Sequence, residues 1–133
     1  PLYPFGFGLS YSEFEYSEVA SDDKTVSYED IKNGKKLRFA VNIKNIGSRK
    51  AITVPELYIH DITASRLRPL RQLRGFKKYL LKAGETVRAD FEIGFNDLGF
   101  YLNDGSFVLE KGFFDIYIGE SSVTENKIRI SVV

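Results

Sequence analysis

The chain contains no cysteine, no tryptophan and no methionine, and its 133 residues include one histidine and four prolines. Without cysteine there are no disulfides, no thiolate metal sites and no cysteine nucleophile. Without cysteine and tryptophan there is also no Cys…Trp…Cys core of a true immunoglobulin domain. The missing methionine carries a different message. In a chain that begins with Pro1 it leads us to expect a piece of a longer polypeptide. No apolar run approaches the length of a membrane span, and no basic-then-apolar leader opens the sequence, so no membrane partner is expected. Neither sign of charge dominates, since 19 Lys and Arg face 18 Asp and Glu. That balance points to neither nucleic acid nor an acidic substrate.

What remains is a composition of 43% hydrophobic and 28% charged residues, with eleven phenylalanines and eight tyrosines. Those proportions belong to a folded domain, and a single domain of this length buries roughly two-thirds of its unfolded surface. Its pattern is period two, the mark of half-buried strands. Leu37, Phe39, Val41 and Ile43 alternate with Arg38, Ala40, Asn42 and Lys44. Val87, Ala89, Phe91 and Ile93 form a second such run, Phe114, Ile116 and Ile118 a third, and Ile128, Ile130 and Val132 a fourth. In the third, Asp115 and Tyr117 point to the opposite face. Weaker strand candidates are 14–20, 25–30, 54–62, 73–81 and 106–109. Asn33-Gly34 suits a type I′ hairpin turn, and Asn103-Asp104-Gly105, Ala83-Gly84 and Lys111-Gly112 supply further breaks. Only 96–100 suggests a helical turn. Pro55 cannot donate to a central ladder and implies an edge or a bulge. Short strands at this spacing define an all-β, antiparallel β-sandwich of seven to nine strands.

Catalysis requires groups that converge. His60 is the sole histidine and has no histidine or cysteine partner, so it reads as a surface or strand-end residue. The carboxylate pairs Asp22-Asp23, Glu29-Asp30 and Asp90/Glu92 lie in turns or on outward strand positions, where acids are solvated. No catalytic, metal or cofactor site is therefore expected. Residues 62–84 carry seven bases and no acid, whereas residues 1–31 carry seven acids and one lysine. Because both poles sit in one chain, the basic stretch reads as a balanced surface or an interdomain face, and no nucleic acid partner is expected. The first thirteen residues stand apart. PLYPFGFGLSYSE is too apolar for a solvated tail and too broken by Pro1, Pro4, Gly6 and Gly8 for a strand.

Five blocks, in order and spanning essentially the whole chain, resemble one known family. They are Pro4 to Tyr11 (PFGFGLSY), Val41 to Gly47 ending Asn-Ile-Gly, Leu57 to Asp61 (LYIHD), Ala64 to Lys78 with its Arg-Pro and Leu-Arg-Gly-Phe elements followed by Leu81 to Thr86 with Ala-Gly-Glu, and Phe113 to Ser122 (FFDIYIGESS). Together they resemble the fibronectin type III-like domain that ends many family 3 glycoside hydrolases, the β-glucosidase and β-xylosidase group. Two departures are visible: Ala51, Thr53 and Pro55 stand where that family usually has a glycine and an acid, and the tryptophan common near Phe107 is missing.

The resemblance implies an immunoglobulin/fibronectin type III-like sandwich over 14–133, with residues 1–13 as a connector from catalytic domains. It implies that the nucleophile and acid/base of retaining β-glucoside hydrolysis lie in those domains, so that this part is accessory and non-catalytic. Its partners would be the upstream catalytic domains of the same chain and, in some members, an oligosaccharide reached through a loop lent to the active site. The expected interdomain contacts are Pro4, Phe5, Phe7, Tyr11, Arg68 and Phe76, with Phe5 and Phe7 more exposed than a core residue such as Phe39. Two other readings compete: a carbohydrate-binding module stacking sugars on Tyr58, Tyr79, Tyr101 or Tyr117, and a protein-interaction module.

Overall fold

The computed structural model describes residues 13–63 and 70–133. The described chain runs β1 (Phe14–Tyr16), β2 (Ala20–Ser21), β3 (Thr25–Val26), α1 (Tyr28–Lys32), β4 (Leu37–Asn45), β5 (Ala51–Thr53), β6 (Glu56–Asp61) and β7 (Gln72–Phe76). It continues through β8 (Tyr79–Leu81), β9 (Thr86–Ile93), α2 (Phe95–Leu98), β10 (Phe100–Tyr101), β11 (Phe107–Val108), β12 (Gly112–Gly119) and β13 (Lys127–Val132).

In one sheet β4 is central. β9 pairs with it from Leu37↔Ile93 to Lys44↔Thr86, which leaves its other edge to β1 and β2 in succession. The second sheet has the order β3-β13-β12-β6-β7, antiparallel except for the β3–β13 pair. Two small ribbons, β5–β8 and β10–β11, complete the architecture. The apolar members of each alternating run meet between the sheets. Phe39, Val41 and Ile43 of β4 form one core cluster with Leu57, Phe114, Ile116, Ile118 and Ile130 of the second sheet. Phe114, Ile116 and Ile118 are fully buried, as their spacing dictates.

The strands number thirteen among the described residues because two expected runs are each broken in two and β5 and β10 form outside the expected runs. The 14–20 stretch forms β1 and β2, bridged where Ser17 Oγ accepts from Asn42 N at 2.8 Å. The 73–81 stretch forms β7 and β8. Pro55 falls in the gap between β5 and β6, out of the ladder, and its carbonyl accepts from Lys77 N.

Two local expectations are corrected. Residues 25–30 do not form one strand: after β3 the chain turns into α1, which buries Ile31 completely and is anchored where Tyr28 N donates to Val133 O. Asn33-Gly34 is accordingly not a type I′ hairpin. Asn33 ends α1 with φ −86°, and only Gly34, at φ +106°, takes the left-handed conformation. A type I′ turn needs positive φ at both residues, and the helix that precedes Asn33 does not supply it.

The Asn-x-Gly block has a clear structural role. Asn45 is fully buried at the end of β4; its side-chain amide donates to Arg49 O (2.8 Å) and Leu81 O (2.9 Å), and its Oδ1 accepts from Gly47 N (2.9 Å). One side chain thus satisfies three backbone groups where the chain leaves the sheet. Two residues later, a Cβ at Gly47 would meet the Glu13 side chain, which would have to shift.

Candidate functional site

The outward face of the second sheet is not the plain solvated surface that alternation suggests. On β12, Asp115 and Tyr117 do point away from the core, yet they are only 1% and 4% exposed. A central strand has neighbours on both sides, and those neighbours cover these side chains. Asp115 is registered between His60 of β6 and Arg129 of β13. Its carboxylate accepts from Arg129 Nε at 2.8 Å, Arg129 Nη2 at 3.2 Å and Lys127 Nζ at 3.0 Å. Burial opposes ionisation of Asp115, but the hydrogen bonds and charges of Arg129 and Lys127 outweigh it and hold the carboxyl below its usual range. The same contacts raise Lys127 and Arg129.

Tyr117 is covered differently. The Arg71 guanidinium stacks over its ring at 3.8 Å, and that guanidinium donates to Ser122 O, Thr124 O and Glu125 Oε1. Next to it Tyr58, 9% exposed, donates to Glu56 Oε1 at 2.8 Å. Burial first, and then the Glu56 carboxylate, push its hydroxyl up to about 12. Beyond Glu56, the Tyr16 hydroxyl hydrogen-bonds Thr53 Oγ1 (2.6 Å), which donates to Glu120 Oε2 (3.0 Å). Tyr58 and Tyr117 are therefore unavailable as a sugar-stacking platform. Tyr79 is half-buried, and of the four tyrosines only Tyr101 is exposed, edge-on to Phe107.

The basic stretch is also less free than its sequence suggests. Arg71 is committed to the β12–β13 turn, and Arg74 donates to Asp97 O at 3.0 Å and to the Gln72 side chain. Lys77 lies over the Phe91 ring. The acidic candidates are likewise paired or solvated. Asp90 and Glu92 bind Arg88 (3.0 Å) and Arg38 (2.9 Å), Asp23 meets Lys35, and Glu29 and Asp30 are exposed in the first turn of α1. His60 Nε2 is enclosed and has no hydrogen-bond partner among the described residues.

Of the six expected interdomain residues, Pro4, Phe5, Phe7, Tyr11 and Arg68 lie outside the described residues, as does the comparison of Phe5 and Phe7 with Phe39. Phe76 is described, and it is 66% exposed at the end of β7. A β-bulge sets its direction. Leu57 faces Gly75, but Tyr58 faces Leu73, so Arg74 is the extra residue and the register shifts by one. As a result Leu73 and Phe76 both point to the outward face, with Tyr58 and Glu56. Gly75 points inward towards Phe91, with which a Cβ would make ordinary van der Waals contact at 3.4 Å. Sequence alternation alone does not reveal this ridge, because the bulge breaks the alternation. Behind it, along the open edge between β7 and β9, runs a groove of about 600 Å³ walled by Arg38, Arg74, Lys77, Asp90 and Glu92, with Phe91 at its floor.

This architecture is that of an immunoglobulin-like β-sandwich, with a buried carboxylate held by two basic side chains on one sheet face and an apolar edge. The family model of the fibronectin type III-like domain matches residues 53–122, more than half of the chain, and the chain belongs to that family. Its relatives are glycosidases. It is 39% identical over 122 residues to the periplasmic β-glucosidase of Salmonella typhimurium, covering 92% of this chain and 15% of that protein. It is 40% identical over 127 residues to a putative β-xylosidase of Formosa agariphila, covering 96% of this chain and 16% of that one. Among solved structures, the β-glucosidase EmGH1 of Erythrobacter marinus superposes with a TM-score of 0.84 at 38% identity, over 100% of this chain and 17% of its own. The chain thus spans about one-sixth of the length of the relatives it matches.

Proposed function

We propose that this domain is the non-catalytic accessory part of a family 3 glycoside hydrolase that cleaves β-linked glucosides with retention, and that it packs against the catalytic domains of the same polypeptide. In this reading residues 14–133 form the accessory sandwich and residues 1–13 the connector, with Pro4, Phe5, Phe7, Tyr11, Arg68 and Phe76 at the contact. The observation that carries it is the extent of the match: nearly all of this chain corresponds to about one-sixth of each β-glucosidase or β-xylosidase relative. The local chemistry agrees. Retaining hydrolysis needs two carboxyl groups about 5–5.5 Å apart, one as nucleophile and one as acid/base. Here Asp115 is saturated by Arg129 and Lys127, and Asp90 and Glu92 are held in ion pairs at exposed positions of β9.

The test pairs two proteins. The 133-residue chain should release no chromophore from an aryl β-glucoside, while the full-length polypeptide should do so. Turnover by the isolated chain that survives repurification would overturn the assignment.

A further inference from the structure

β7 is the terminal strand of the five-stranded sheet, pairing only with β6. An edge strand presents unpaired backbone groups, and isolated domains usually blunt such an edge with charge or cover it. This edge has a bulge and basic side chains at Arg74, Lys77 and Lys78, yet it also carries Leu73 at 45% exposure and Phe76 at 66%, with Leu70 at 76% just before the strand. One structural cost aims them outward: the bulge at Arg74 breaks the ladder so that Leu73 and Phe76 share a face. Arg74 is itself fixed to Asp97 O and the Gln72 side chain, which holds the bulge in one conformation. Lys77 and Lys78 follow it, so a complementary surface carries an apolar recess with acids at that end.

We propose that the β7 edge, with Leu73 and Phe76 as its anchors and the β7–β9 groove beside it, is where the catalytic part of the same polypeptide docks. This rests on the accessory reading above and adds which face makes the contact. The occupant is identified by what lies outside this fold. More than four-fifths of each relative's length is beyond the matched region, and that remainder is tethered to the domain at high effective concentration. An intrachain interface of roughly 600–1,500 Å² needs an apolar centre, and this edge supplies one next to an open groove. Another exposed apolar pair, Ile52 and Leu80 on the β5–β8 ribbon, serves as the internal comparison.

The experiment is hydroxyl-radical footprinting of the full-length wild-type polypeptide, read by mass spectrometry. Leu73 and Phe76 should be labelled at least fivefold more slowly than in the denatured protein, while Ile52 and Leu80 stay reactive. Labelling of Leu73 and Phe76 at the denatured rate overturns the proposal. Protection that disappears on dilution also overturns it, because the occupant is then a second copy. As a second readout, Leu73→Asp/Phe76→Asp in the full-length polypeptide should split one thermal transition into two, and Ile52→Asp/Leu80→Asp should not. A split produced by the second pair and not the first assigns docking to the other ribbon. Deleting residues 14–133 separates this failure from failure of the accessory reading. If deletion lowers the thermal stability of the catalytic part while Phe76 is freely labelled, only the choice of face is wrong. If deletion changes neither stability nor activity, the accessory reading fails as well.

Discussion

Asp115→Asn isolates the contribution of the ion-pair cluster on the outward face. The substitution keeps shape and volume but removes the negative charge, and it places an amide against two cations. Three charge-assisted hydrogen bonds of 2.8–3.2 Å are weakened or lost at a side chain that is 2% exposed. Breaking a buried pair costs about 3–5 kcal/mol when the remaining partner is stranded. Here the partners are not stranded, because the Lys127 and Arg129 side chains are 41% and 52% exposed and regain water when released. We therefore expect a loss of about 2 kcal/mol, below that range and comparable to one charged hydrogen bond. For a domain of this size that is a fall of roughly 6–10 °C in Tm.

The assay is urea unfolding of the 133-residue chain, followed by far-UV circular dichroism and tyrosine fluorescence, at a series of pH values. The sign of the pH dependence is set by the lowered pKa of Asp115 in the folded state. The unfolded chain binds a proton at this site more readily than the folded one. The stability it contributes is therefore complete above the unfolded carboxyl value, about 3.9, and is lost as pH falls through the lower folded value. The wild-type advantage over Asp115→Asn should be constant from pH 7 to about 5 and shrink towards pH 2–3. A gap of equal size at pH 7 and at the acid end would refute the reasoning, since it would then come from packing and not from charge.

Three other substitutions test the frame around this cluster. Phe114→Ala empties a fully buried core position and should cost about 3–5 kcal/mol in urea unfolding. Asn45→Ala leaves Arg49 O, Leu81 O and Gly47 N without their partner and should cost about 2–4 kcal/mol, with backbone amides 46–49 exchanging faster by hydrogen–deuterium exchange. Gly112→Ala meets a double obstacle, a φ of +143° and a collision with Thr63, and should lower stability by at least about 2 kcal/mol.

Much of the fold was legible because its signals are short-range. Leu37 to Ile43, Val87 to Ile93 and Ile128 to Val132 alternate with period two, and each run became a strand with its apolar side in the core. The five ordered blocks carried the family, and the Asn45-Ile46-Gly47 block proved to be a set of hydrogen bonds that close a strand end. Of the expected contact residues only Phe76 lies among the described ones, and its exposure was not legible from alternation. Reading the β7 region as one strand concealed the bulge, and reading residues 25–30 as a strand missed the helix that buries Ile31.

The remainder was decided by contacts between residues far apart in the chain. Asp115 looks like a solvated outward acid until Lys127 and Arg129, twelve and fourteen positions later, are brought beside it across the ladder. Tyr117 looks like a free aromatic until Arg71, 46 positions earlier, lies on its ring and binds the turn at Ser122 and Thr124. The direction of Phe76 depends on one extra residue opposite β6, which only strand pairing can reveal. Periodicity by itself determined which side chains leave water for the core, because that depends on neighbours two positions apart. Which outward side chains stay in water, and where the domain presents an apolar edge, was set by strand register, and register exists only once the sheets have formed.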